Sequence, residues 1–220
     1  MKKGFFITAN DTGAGKTFVT AQLAAALNTR GQRVAVRKPV ESGCAEVDGK
    51  LFPHDAERLR LAAGAWETLE NICPNPLREP LSPPRAARFM KRKLFLHDLQ
   101  AACAMPEQAD WMLVEGAGGF FAPLAEDALN ADLAAALNLP VLLVVPDRLG
   151  AINQALLGIH AITHRGLKLA GVLLNQIEAE RPRGMDNFAD LRLWTGAPIM
   201  RFEHHGSAEA LLNQLAQCKR

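Results

Sequence analysis

A chain of 220 residues, 49% hydrophobic and with a formal charge of +2, can bury a full core and form one α/β domain. The near-neutral balance gives no general attraction to nucleic acid or to an anionic membrane, and apolar runs such as "PVLLVVP" (Pro140–Pro146) are far too short to span a bilayer. No signal peptide reads from "MKKGFFIT", and four cysteines (Cys44, Cys73, Cys103, Cys218) without a CxxC pair read as reduced thiols, so the expected address is cytoplasmic.

The first apolar run predicts a strand over Gly4–Thr8. The loop "ANDTGAGKT" (Ala9–Thr17) follows, and then a helix over Lys16–Arg30, where Val19, Leu23, Ala26 and Leu27 recur at the spacing of one buried face. Lys16 conflicts with its position, because the positive end of a helix dipole disfavours a cation by about 0.3–1 kcal/mol. An anion bound by the lysine and the free backbone amides together resolves the conflict, and phosphate suits both. Gly13 and Gly15 let the backbone curl so that its amides point inward, Lys16 can reach the outer phosphates, and the Thr17 hydroxyl can ligate magnesium. The common G-x-x-x-x-G-K-[ST] spacing is met except at Asn10, which stands where its first glycine belongs.

A strand over Arg33–Val36 leads into "RKPVESG", which carries Lys38 and Ser42. Lys38 either stands at the phosphate end of a cleft or snorkels from the sheet edge. Asp55, in "PHDAERLRL", opens a helix over Asp55–Ala63 and either caps it or ligates metal. The segment "CPNPLREPLSPP" (Cys73–Pro84) reads as a rigid surface excursion, ending at Ser82 as the cap of a helix over Pro83–Phe89. Arg85, Arg88 and "KRK" (Lys91–Lys93) lack interleaved aromatics and read as a solvated face, not a nucleic-acid patch.

The strand Trp111–Glu115 runs into "EGAGGFF". A carboxylate ending an apolar run is costly to bury unless a cation offsets it, and magnesium beside Thr17 or a local arginine could do so. Gly116, Gly118 and Gly119 leave room for a ligand against the backbone. A helix over Asn130–Leu137, a strand over Val141–Val145, a helix over Ala151–Arg165 and a strand over Leu169–Leu174 come next. Helix Asp186–Trp194, strand Pro198–Arg201 and helix Ala208–Gln217 complete the alternation. Asn153 and Asn175 fall near strand ends, where polar side chains often cap turns, and His204–His205 reads as loop. Continuous Val/Leu strands alternating with helices predict one α/β domain over residues 1–220. It is a mostly parallel β-sheet with helices on both faces, P-loop nucleotidase-like, with ligands outside the carboxyl ends of the strands.

Taken together, "DTGAGKT", "KPVESG", "HDA", "EPLSPP", "DWMLVEGAGG", "LPVLLVV", "LGAINQALL" and "LAGVLLN" resemble, in order and over most of the chain, the dethiobiotin synthetase family of biotin biosynthesis. The resemblance implies diaminopelargonic acid, carbon dioxide and ATP as substrates, with magnesium as cofactor. One amine becomes a carbamate, the carbamate is phosphorylated to a carbamic-phosphoric anhydride, and the second amine closes a cyclic urea with release of ADP and phosphate. By the same resemblance Thr12, Gly13, Ala14, Gly15, Lys16 and Thr17 cradle the phosphates, and Thr17, Asp55 and Glu115 hold magnesium. Gly116 and Gly118 border the nucleotide, Asn175 meets the adenine, and Lys16 and Lys38 are catalytic, with Lys38 on the carbamate. Thr12, Lys38 and Ser42 bind the diamine end. The turn with Leu149, Gly150, Ala151 and Asn153 takes the substrate carboxylate from a neighbouring subunit, which implies a homodimer. The chain departs from the family at Ala9, for its first loop glycine, at Gly13, for an acidic residue, and at Pro84, for a histidine. "RFEHHG" replaces a Pro-Trp-like segment, which leaves the base preference open.

Three other readings use the same loop. A partitioning or cell-division ATPase switch carries an early loop lysine where this chain has Asp11, and "LLNQLAQCKR" is too short and polar for a membrane tail. A paralogue that binds nucleotide without turnover is the second. An amidating enzyme of cobyrinate type would need an added glutaminase domain.

Overall fold

A computed structural model describes residues 3–204 and 206–217. His205 and Cys218, expected as a loop residue and a reduced thiol, lie outside the described residues. The elements follow in the order β1 (Gly4–Ala9), α1 (Lys16–Thr29), β2 (Val34–Arg37), β3 (Glu41–Ser42), β4 (Ala45–Val47), β5 (Lys50–Phe52), α2 (His54–Ala62), α3 (Leu69–Ile72), β6 (Pro76–Leu77) and α4 (Pro83–Phe89). After these come α5 (Leu96–Ala102), β7 (Trp111–Glu115), α6 (Asn130–Leu137), β8 (Val141–Pro146), α7 (Ala151–His164), β9 (Leu169–Asn175), α8 (Asn187–Arg192), β10 (Ile199–Phe202) and α9 (Ala208–Gln217).

Among the described residues, six strands form one sheet in the order β10-β9-β8-β1-β7-β2, and every neighbouring pair is parallel. Residues of β1 alternate between two cores. Phe6 joins the core that also holds Leu133 of α6 and Ile159 of α7, whereas Phe5 and Ile7 join the one containing Leu23 of α1 and Leu59 of α2. Helices thus cover both faces, which is why the central strands read as unbroken apolar runs instead of alternating ones. The six expected strands recur within a residue or so at each end. So does the buried face of α1, but it is wider than one stripe: Thr20, Ala21 and Ala24 are buried too, because α1 packs on α2 and α9 as well as on the sheet.

Outside the sheet, β3 pairs with β6 and β4 with β5 in two-stranded ribbons, and α3 and α5 add short helices that the sequence reading passed over. Ser82 does stand at the head of α4, but its side chain makes no capping hydrogen bond. Pro84, at the second helical position, carries no N–H, so one of the two amides that a cap would serve is missing. No helix among the described residues is long and apolar enough to cross a membrane.

The connection leaves β1 toward β2 on one side of the sheet, and β8 lies against β1 on the other. Order therefore reverses around β1. The carboxyl ends of β1, β2 and β7 open at this crevice, which is where such sheets bind ligands.

Candidate active site

The loop from Ala9 to Lys16 turns on Gly13 (φ 75°) and Gly15 (φ 86°), both in the left-handed region that favours glycine. Gly15 heads α1, and no side chain caps the first-turn amides. Those donors face a cavity of about 360 Å³ lined by Thr12, Gly13, Gly15, Lys16 and Thr17 from the loop and α1. Lys38 and Ser42 enter it from beyond β2, Asp55 from α2, and Glu115 and Gly118 from the end of β7.

Glu115 is completely buried, and its Oε1 accepts from the Thr17 hydroxyl at 2.8 Å and from Lys38 Nζ at 2.6 Å. The cation beside it is therefore the cleft lysine, not a local arginine. Lys38 is only 4% exposed, so it does not snorkel to solvent. Its ammonium also lies 3.6 Å from Asp55 Oδ2. Burial alone would lower the pKa of Lys38, but the charge of Glu115 and then that of Asp55 override it and raise the value. Lys16 shows the opposite balance: burial first, and the like charge of Lys38 second, bring its ammonium down to about 8. Its Nζ donates to the Asp11 carbonyl at 3.4 Å.

Glu41, quoted in "KPVESG" but given no role, proves to be the device that frees Asp55. Helix α2 starts after Pro53, whose side chain cannot cap it. The Glu41 carboxylate does so from a distance, accepting from the Asp55 amide at 3.0 Å and the Ala56 amide at 2.9 Å. Asp55 consequently is not the cap, and its own carboxylate turns into the cavity. The signal for this was present: a helix headed by Pro-His-Asp needs a remote acceptor. Burial raises the Glu41 carboxyl pKa despite those two amides.

A second supporting residue, Asn130, is fully buried beneath the glycine loop. Its Oδ1 accepts from the Ala117 amide at 3.0 Å, and its Nδ2 donates to the Ala117 and Gly119 carbonyls at 2.7 and 3.0 Å. A Cβ on Gly119 would lie 2.9 Å from the Asn10 carbonyl oxygen, so this loop and the phosphate loop touch backbone to backbone. Asn130 escaped notice because an asparagine opening a helix reads first as a cap.

Other expected site residues lie elsewhere. Ala14 is buried in the core, and its carbonyl accepts from Asn175 Nδ2 at 3.0 Å. Asn175, only 2% exposed at the end of β9, thus braces the loop from beneath. Gly116 contributes its carbonyl, 3.5 Å from Lys38 Nζ, rather than open space, since a Cβ there would strike Asn130 Oδ1. Leu149, Gly150, Ala151 and Asn153 do not line this cavity. They open α7, where Ala151 is buried, Asn153 exposed, and Leu149 85% exposed. The helix nonetheless reaches the phosphate loop, because Asn10 Nδ2 donates to Gln154 Oε1 at 2.8 Å.

Glu115 Oε2 is buried and has no hydrogen-bond partner among the described residues. A hard cation fits that orphan oxygen, with the Thr17 hydroxyl and the Asp55 carboxylate as further oxygen donors in the same cavity.

Residues 3–209 match a family model described as an AAA domain. The ATP-dependent dethiobiotin synthetase of Vesicomyosocius okutanii is 41% identical over 203 residues, covering 92% of this chain and 91% of that protein. That of Anaeromyxobacter dehalogenans (strain 2CP-C) is 44% identical over 179 residues, 81% of this chain and 78% of its own. Among solved structures, cobyrinic acid a,c-diamide synthase from Mycobacterium smegmatis, with a bound ATP analogue and magnesium, aligns at a TM-score of 0.57 and 15% identity. It covers all of this chain and 93% of that one. The septum site-determining protein MinD of Pyrococcus horikoshii, complexed with Mg-ADP, aligns at 0.54 and 14%, covering 99% and 86%. These two likenesses show the fold alone. Kinship is decided by the sequence identity sustained along the chain, and by it the chain belongs to the ATP-dependent dethiobiotin synthetase family.

Proposed function

We propose that the protein is a ligase that closes a cyclic urea on diaminopelargonic acid, using carbon dioxide and ATP and releasing ADP and phosphate. The observation that carries this reading is the meeting of Thr17, Lys38, Asp55 and Glu115 in one cavity beside the phosphate loop. A carbamate is a poor acylating agent until its oxygen is phosphorylated, and phosphoryl transfer asks chiefly for alignment and charge neutralisation. Lys16 and the amides of Gly13–Thr17 hold the phosphates. Lys38 orients the carbamate toward the γ-phosphoryl group, and Ser42 and Thr12 bind the diamine end. The second amine then attacks the carbonyl of the carbamic-phosphoric anhydride, and phosphate leaves. Magnesium, held by Thr17, Asp55 and Glu115, supplies charge neutralisation on the phosphates when bound. Glu115 is then no longer dependent on Lys38, whose ammonium becomes available to the carbamate.

The substrate carboxylate is received by the turn at Leu149, Gly150, Ala151 and Asn153 of a second subunit in a homodimer. The support is an apolar groove of about 500 Å³ lined by Phe121, Leu157 and Ala161, together with the exposure of Leu149 ahead of α7, the helix that carries Leu157 and Ala161. Residues 1–220 act as one domain in the cytoplasm, and Asn175 supports the nucleotide site indirectly, by bracing the phosphate loop at the Ala14 carbonyl. Mass spectrometry after mixing protein, ATP, magnesium, bicarbonate and diamine tests the reading. A product carrying a urea ring supports it, and ADP formed without a ring contradicts it.

A further inference from the structure

Among the described residues, six ionisable side chains line the cavity: Lys16, Lys38, Arg58, Glu41, Asp55 and Glu115. Both Glu41 oxygens are engaged by backbone amides, and Asp55 and Glu115 face Lys38. Arg58 is left over. Among the described residues it makes no ion pair and no side-chain hydrogen bond, whereas Arg30, Arg37, Arg60, Arg78 and Arg88 each meet a carboxylate.

Its place is set by two elements. On α2 it lies three residues after Asp55, on the face turned to the cavity. Its guanidinium lies over the Phe18 ring, 5.3 Å from the centroid, and Phe18 directly follows Thr17 in the first turn of α1. The Phe18 ring in turn sits 5.7 Å from that of Phe202, at the end of β10. Arg58 therefore stands over the first turn of α1, at the edge of the cavity that the phosphate loop lines.

We infer that Arg58 binds the phosphate chain of the nucleotide, as a cation additional to Lys16 and Lys38; this rests on the nucleotide-binding part of the proposed function. A guanidinium can keep one face on an aromatic ring while its N–H fork meets two phosphate oxygens, which an ammonium cannot do. Stacking on Phe18 also restricts the long side chain before the nucleotide arrives, which lowers the ordering cost of binding. The competing explanation is that Arg58 merely shields Phe18 from water.

Calorimetric titration of the full chain with Mg-ADP, without diamine, separates the two. Arg58→Ala should weaken ADP binding by roughly 5- to 30-fold, and Arg58→Lys should recover part of it through charge alone. In turnover, KM for ATP should rise while KM for the diamine stays put. Arg58→Met keeps an apolar stem over Phe18, so it serves where Arg58→Ala lowers the melting temperature of the unliganded protein. Wild-type ADP affinity in a folded Arg58→Ala or Arg58→Met protein overturns the proposal. Because ADP binding is read without chemistry, absence of a urea product would count against the proposed reaction and leave this result standing.

Discussion

Lys38 and Glu115 neutralise each other where both are buried, and removing one partner of such a pair typically costs about 3–5 kcal/mol. Lys38→Ala should accordingly lower the stability of the metal-free protein measured by urea denaturation. Magnesium with ADP should then raise the melting temperature of that variant more than that of the wild type, because the metal takes over the missing positive charge. Nucleotide binding should stay nearly intact while turnover falls at least about 10-fold, or about 1.4 kcal/mol. Normal turnover in Lys38→Ala would remove it from catalysis. Glu41→Ala tests the remote cap. It strands the Asp55 and Ala56 amides and should cost about 1–2 kcal/mol in the same denaturation measurement; an unchanged midpoint would show that water replaces the carboxylate without loss.

The phosphate loop and the end of β9 behave as one unit. A Cβ on Gly15 would fall 2.2 Å from Asn175 Nδ2, at a φ of +86° that an alanine adopts at about 1–2 kcal/mol. Gly15→Ala should destabilise the protein by more than that backbone penalty. Adding Asn175→Ala should recover the excess, so the two changes will not be additive in a double-mutant cycle. The loop, its helix and the strands were legible in the sequence because each is a local signal: the Gly-x-Gly-Lys-Thr turn, apolar runs, and the spacing of Val19, Leu23 and Leu27. Lys38, Asp55 and Glu115 were legible as candidates, since they follow strands or open a helix, but their partners were not. Which carboxylate caps α2, and whether Asn175 looks up at a base or down at the Ala14 carbonyl, depend on contacts between segments far apart in sequence. The two-residue strands β3 and β6 and the four-residue α3 are too short to carry a period, and only their packing defines them.

Across the molecule, burial is also what silences Cys44, Cys73 and Cys103. Cys44 and Cys103 are pushed up from 9.0 to about 11 and about 12 by desolvation, and Cys73 is raised further by the same cause. Aromatic disulfide reagents should therefore leave these three thiols unmodified at pH 8 until the protein unfolds, which spectrophotometric titration with and without denaturant will check. The sign of the pH effect follows. A folded-state pKa above the unfolded one gives stability that is complete below about pH 9 and is lost as the pH climbs toward 11–12, so chemical stability should decline across that window. A sheet with helices on both faces brings a glycine loop, a buried carboxylate and a buried lysine to one crevice, and on that meeting rests the proposed phosphorylation of a carbamate. Phosphate release, followed with and without diaminopelargonic acid at fixed ATP, magnesium and bicarbonate, tests it most directly. The account predicts one phosphate per ring formed and little release without the diamine; steady release indifferent to the diamine would contradict it.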